Sequence, residues 1–255
     1  MANMRPTQSY QGIAPRKRVE GIENLMRSAD LSSITTEIDK KLTSVVFLEP
    51  HIIRDTTKSV KPNIISDIQP KLHSGAIDPQ RTQRSIFERN ILNNHILQKC
   101  VRIDMELQDM LEVVARAYYM EAEVGIERVA GVGLANSHGN LEIIFISSDE
   151  LRFLKPQLRA LSKSHGSEFL RAILTFFTIV HYHPYADGNG RIARTMFNLI
   201  LRRAGLCDSQ YLPLFDIMHS SKGEYELALR HAELFGSWKP LVKFMASAFE
   251  IARAQ

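Results

Sequence analysis

Apolar positions recur along most of the chain at helical spacing. Between Thr82 and Val124 they fall at Ile86, Ile91, Ile96, Val101, Met105, Leu111, Val114 and Ala115, which predicts helix. The stretch from Val19 to about Phe47 is also helical in pattern. Asp30, Ser32 and Ser33 offer start signals ahead of Ile34, and Glu37 supplies a first-turn carboxylate. Two apolar runs, Phe169 to Val180 and Ile192 to Leu201, are each long enough for a helix. Arg202, Arg203 and Gly205 close the second with basic residues and a terminal glycine. Further helices are predicted at Ser148 to Leu161, Ser221 to Phe235 and Trp238 to Ala254, the last with Leu241, Phe244, Met245, Phe249 and Ile251 towards a core. One stretch breaks the pattern. Leu141 to Ile146 is rich in β-branched and aromatic residues and follows turn-rich segments at 131–134 and 137–140, which predicts a strand in a small hairpin. Prolines 50, 62, 70 and 79 with Gly75 mark turns and short helices between an N-terminal extension and the core.

The expected fold is therefore all-α, a helical bundle with one hairpin and an N-terminal helical extension. The expected divisions are an arm and extension at 1–95, a core at 96–215 and completing helices at 216–255. Residues 1 to about 18 are polar, carry the cluster Arg16-Lys17-Arg18, and are expected to form a mobile arm.

Composition narrows the class. The chain has 255 residues, 44% hydrophobic and 24% charged, as in ordinary globular proteins. Its two cysteines, Cys100 and Cys207, imply no disulfide framework and fit a reducing, cytoplasmic setting. No apolar run reaches membrane-span length, and there is no signal-peptide core at the start. The net charge of +4 permits acidic partners without singling out nucleic acid, and no recognition helix or aromatic stacking pattern supports DNA binding.

The chemistry concentrates in His183-Pro184-Tyr185-Ala186-Asp187-Gly188-Asn189-Gly190-Arg191-Ile192-Ala193-Arg194, between the two long apolar runs. This spacing predicts a loop feeding the N-terminus of a buried helix. Such a terminus offers unpaired N–H groups and partial positive charge to an anion. Gly188 and Gly190 allow close approach, and successive amides form a nest for oxyanions. Arg191 and Arg194, three apart, reach one side of the helix start and suit phosphate oxygens. Asp187 is a hard oxygen ligand suited to Mg²⁺ shared with a nucleotide. His183 can accept a proton near neutral pH. Together these residues point to transfer of a phosphorus-containing group. An ordinary turn at 187–190 does not account for the histidine and arginines at fixed offsets. His181 and His183 with Asp187 are an alternative metal set, but that pairing works best on a strand. His181 itself is expected to be structural.

This stretch resembles the signature of the Fic family, a histidine-Pro-aromatic pattern followed by Asp-Gly-Asn-Gly-Arg and a second arginine, with Tyr185 where phenylalanine is usual. Most members transfer AMP from ATP to a protein hydroxyl. The resemblance implies His183 as general base, Asp187 as Mg²⁺ ligand, Gly188, Asn189 and Gly190 as anion hole, and Arg191 and Arg194 as phosphate-binding groups. It implies ATP as substrate and a target protein with a Ser, Thr or Tyr hydroxyl, docked by strand addition on a flap at 141–148. Tyr225 falls where the family often has an adenine-contacting aromatic, although a tyrosine at helical spacing is more often a packing residue. Many members also carry an inhibitory helix with Ser or Thr, three residues, Glu, then Gly or Asn. That glutamate pairs with the second arginine and blocks seating of the γ-phosphate. Ser33 to Glu37 fits this pattern except for Ile38, and plain helix capping fits as well; Ser220 to Glu224 also satisfies it by chance. Transfer of another phosphate-containing group, removal of AMP, and a non-catalytic nucleotide-binding or toxin-regulating module remain alternatives. A homo-oligomer is compatible with all of them.

Overall fold

The computed structural model describes residues 16–47, 79–102, 104–129, 131–135, 141–221 and 223–253. Its centre is a pair of helices, α6 (Glu168–Tyr182) and α7 (Asn189–Arg203). α6 is apolar almost all round, with Phe169, Leu170, Ile173, Leu174, Phe176 and Phe177 buried, as expected of a helix inside a bundle. Each such side chain contributes about 1.5–3 kcal/mol over an exposed one. Ser167 starts α6, its hydroxyl accepting from Leu170 N at 3.1 Å.

The other helices wrap this pair. They are α1 (Ala29–Asp39), α2 (Pro79–Leu92), α3 (His95–Arg102), α4 (Leu107–Ala122), α5 (Leu154–Lys163), α8 (Leu214–Ser220), α9 (Glu224–Phe235) and α10 (Lys239–Ala252). α2, α3 and α4 pack on α7, while α1 packs on α6 and α10. The two strands, β1 (Gly133–Ala135) and β2 (Leu141–Ile144), form an antiparallel hairpin with Gly133 opposite Ile144. The protein is thus a helical bundle carrying one small hairpin. Among the described residues no helix is long and apolar enough to cross a membrane.

Several element boundaries differ from the periodicity. The run from Thr82 to Val124 is three helices. It breaks at Asn93 and Asn94, where the Asn94 side chain accepts from Ile96 N at 2.9 Å and so caps α3. The N-terminal pattern is a 3-10 turn at Ile22–Arg27 followed by α1. Ser28 caps α1, accepting from Leu31 N at 3.4 Å; Asp30, Ser32 and Ser33 lie inside the helix. Residues 148–153 form a 3-10 helix that leads into α5. The expected arm at 1–18 lies outside the described residues up to residue 15. Its last part is docked, with Arg16 N donating to Ile144 O at 2.9 Å. The proline-punctuated segment lies outside the described residues from 48 to 78, as do turn positions 136–140.

Candidate functional site

α6 ends at Tyr182, and His183 turns the chain with φ 50° and ψ 56°. A left-handed histidine is held only where its surroundings insist on it. Here His183 N donates to Ile179 O at 3.0 Å, and Arg128 Nε donates to His183 O at 2.7 Å. The same Arg128 guanidinium donates to Tyr182 O at 3.2 Å and to Ile146 O. Arg128 thus ties the end of α6 to the end of the hairpin. No motif pointed to it, because an arginine that binds carbonyls from two distant segments has no spacing signature.

The loop after His183 is laced to residues 125–128. Arg128 N donates to Pro184 O and Ala186 N to Ile126 O, both at 2.9 Å. Tyr185 is buried, keeping its ring in the core. The Asn189 side chain closes the loop on itself. Its Oδ1 accepts from Tyr185 N at 2.9 Å and its Nδ2 donates to Tyr185 O at 2.8 Å. Asn189 therefore shapes the cradle with its side chain, leaving only its backbone N–H to an anion. Gly188 has φ 88°, and a Cβ there would lie 3.1 Å from Val124 Cγ2, so the turn needs glycine. α7 begins next, and the N–H groups of Asn189, Gly190 and Arg191 have no acceptor within the helix. Asp187, mostly exposed, accepts from Gly188 N at 2.6 Å and from Arg191 Nη2 at 2.7 Å.

Both ring nitrogens of His183 are buried without a hydrogen-bond partner. The ring stacks on Phe145, with centroids 3.6 Å apart and planes 15° apart. Burial pushes its pKa down to about 3, opposed by the nearby Val180 backbone and helped by the smaller effects of the Arg128 and Arg16 charges, so the imidazole is neutral at physiological pH.

Arg194 is occupied. Its Nε lies 3.0 Å from Glu88 Oε2, and its Nη2 also donates to Glu88 Oε1. Glu88 is fully buried on α2, and Tyr211 donates to its Oε2 at 2.7 Å. Burial lowers the Arg194 pKa, but Glu88 more than offsets that and holds it above its ordinary value. Asn198, one turn along α7, fixes the segment bearing Tyr211 by donating to Leu212 O and accepting from Leu212 N. Arg84, one turn before Glu88 on α2, lies with Arg194 against the Phe215 ring, at 4.7 and 5.0 Å.

Two expectations need correction. Glu37 does not meet Arg194. It is exposed on α1 and binds Lys40 at 2.6 Å, while Ser33 Oγ donates to Asp30 O at 2.8 Å within the same helix. The carboxylate on Arg194 comes from Glu88. The sequence pattern misses it because Arg84 stands where Ser or Thr is expected and Arg89 where Gly or Asn is expected. Tyr225 packs between Phe176 and Phe244, at 6.0 and 5.8 Å, and burial raises its pKa. His181 is structural, its ring 2.8 Å from Glu233 Oε1 and 3.0 Å from Lys17 O.

In this helical bundle a histidine turn feeds a glycine-rich helix start, and an arginine on that helix is held by a buried glutamate. Residues 104–201 match the Fic/DOC family, and this part of the chain is a Fic/DOC family domain. Curated relatives include the protein adenylyltransferase Fic of Nematostella vectensis, 36% identical over 86 residues, covering 34% of this chain and 18% of that protein. The protein adenylyltransferase fic-1 of Caenorhabditis elegans is 35% identical over 80 residues, covering 31% and 14%. The matched segment is thus under a fifth of either relative's length. Among solved structures, Fic-1 of C. elegans (22% identity, TM-score 0.47) covers 91% of this chain and 75% of that one. A Fic family protein from Desulfovibrio desulfuricans (17%, TM-score 0.49) covers 94% and 75%.

Proposed function

We propose that this protein transfers AMP from ATP to a hydroxyl of a target protein, and that Glu88 restrains the transfer. The observation that supports this reading is the stretch His183 to Arg191, which carries a buried imidazole without a hydrogen-bond partner, a helix N-terminus and a guanidinium on one loop and helix start. The amides at 189–191 and the glycines at 188 and 190 receive the phosphates, and Arg191 and Arg194 offset their charge. His183 takes the proton of the target hydroxyl, its basicity raised once the phosphate charge faces the ring and offsets the Arg128 and Arg16 charges. The hydroxyl oxygen then bonds to the α-phosphorus, and the bond to the bridging oxygen breaks to release pyrophosphate.

The exposed Asp187 carboxylate fits Mg²⁺, which is usually held by one or two carboxylates together with the substrate's phosphates. When bound, the ion would neutralise charge on the phosphate chain. Arg191, paired here with Asp187, would then be free to face the phosphates.

Glu88 takes the inhibitory role that the family resemblance assigned to a glutamate on the second arginine. While Arg194 is neutralised by a fully buried carboxylate, the γ-phosphate lacks its guanidinium partner. The target docks as an added strand on the hairpin, and its side-chain specificity lies outside that backbone pairing.

The test is mass spectrometry of protein incubated with ATP and Mg²⁺. The Glu88→Gly protein gains the mass of AMP on itself or on added lysate proteins, and Glu88→Gly/His183→Ala does not. A different added mass would assign another transferred group, and undiminished labelling without His183 would remove the proposed base.

A further inference from the structure

The chain's own N-terminal segment lies on the flap. Phe145 N donates to Val132 O at 3.0 Å, towards β1. In an antiparallel ladder the neighbouring residue faces the other way, so the Ile144 carbonyl points to the free outer edge of β2. That carbonyl is the one accepting from Arg16 N. An extended target pairing with this edge meets a position already filled.

The side chain of Arg16 is seated as well. Its guanidinium lies 4.9 Å from the centre of the Phe145 ring, the ring stacked on His183. Its Nε is 2.9 Å from Glu233 Oε1, and both side chains are largely buried, at 10% and 4% exposure. Burial pushes the Arg16 pKa down to about 10, a cost that Glu233 partly offsets. Glu233 is itself braced by His181, whose Nε2 also donates to Lys17 O, and by Arg230 at 2.6 Å. Arg18 lies over the Phe153 ring at 3.9 Å, and Gln157 donates to Val19 O at 3.2 Å. This is a built pocket for one arginine, opening onto a strand edge next to the catalytic imidazole. The segment that fills it cannot be a substrate. From Gln11 to Arg27 the chain contains no serine, threonine or tyrosine.

We propose that the β2 edge with the Phe145–Glu233 pocket is a docking site for an extended, arginine-bearing protein segment, and that Arg16-Lys17-Arg18 fills it in cis as a hydroxyl-free stand-in. The proposal deepens the transfer reading, since it names what the flap recognises. It is separate from the Glu88 restraint, which acts on the nucleotide side. A target displaces the strap by presenting its own arginine to Glu233, with its hydroxyl near His183.

The probe is a fluorescent peptide with the sequence Gln11 to Ile22, titrated into the full-length protein. If the strap is docked about 90% of the time, the Arg16→Ala protein binds the peptide about tenfold more tightly than the parent. The same peptide carrying Arg16→Ala loses that gain. Hydrogen exchange at the amide of position 16 is slow in the parent and fast in the Arg16→Ala protein. Equal peptide affinity for parent and variant, or equal affinity of the two peptides, overturns the proposal. Adenylyl transfer is read separately on the Glu88→Gly protein. Peptide binding as expected with no transfer leaves the dock standing and removes the chemistry; transfer without the affinity difference does the reverse.

Discussion

Two helices each carry a glutamate that a short pattern or a contact could set against Arg194, and their surroundings separate them. On α1, Glu37 is exposed and holds Lys40 at 2.6 Å, an i,i+3 pair on a solvated face. On α2, Glu88 is fully buried, contacts Arg194 through Nε and Nη2, and receives a further hydrogen bond from Tyr211. The first pair is screened by salt and contributes little. The second is costly to break, since losing one partner leaves a buried charge. Packing against α7 gives a carboxylate leverage over the motif arginine, and a five-residue pattern does not encode that packing.

The largest test of this contrast is Glu88→Gly. It should destabilise the protein by about 3 kcal/mol in urea unfolding, the scale of an orphaned buried partner, while raising adenylyl transfer. A loss below about 1 kcal/mol would mean that Arg194 finds water or another acceptor at little cost.

Acid should act on the buried region through His183. Its folded pKa of about 3 lies below the ordinary 6.5, so between those values the unfolded chain binds a proton that the folded one refuses. Stability from this site is complete above about pH 6.5 and falls as pH drops towards 3, by up to about 1.4 kcal/mol per pH unit. The His183→Gln protein should show a shallower fall in the same window, and parallel curves would contradict the buried, neutral imidazole.

Tyr211→Phe removes one hydrogen bond from Glu88 and should cost about 1–2 kcal/mol, with a modest rise in transfer as the carboxylate loosens. Glu37→Ala is the smallest change. Neither melting temperature nor transfer should move, and a clear rise in transfer would return the regulatory role to α1.

The core of the site was legible because its chemistry is local. His183 to Arg194 lie on one loop and one helix start, so spacing alone brings them together. The helices at 168–182 and 189–203 followed from apolar runs that stay buried on nearly every side. What escaped was long-range. Glu88 reaches Arg194 across 106 residues, through a helix whose flanking Arg84 and Arg89 break the expected pattern. Arg128 joins carbonyls of Ile146, Tyr182 and His183 that only the tertiary fold assembles. The docking of Arg16 was hidden behind a polar, basic composition that ordinarily marks a solvated arm. The break at Asn93 and Asn94 was missed because apolar periodicity runs straight across a capping residue.

The most direct measurement compares AMP incorporation from labelled ATP by the parent, Glu37→Gly and Glu88→Gly proteins under one set of conditions. Glu88→Gly should exceed the parent by on the order of tenfold, the effect of freeing a mostly occupied site, with Glu37→Gly indistinguishable from the parent. A rise in Glu37→Gly with Glu88→Gly unchanged would contradict the claim that the buried carboxylate on α2 restrains Arg194.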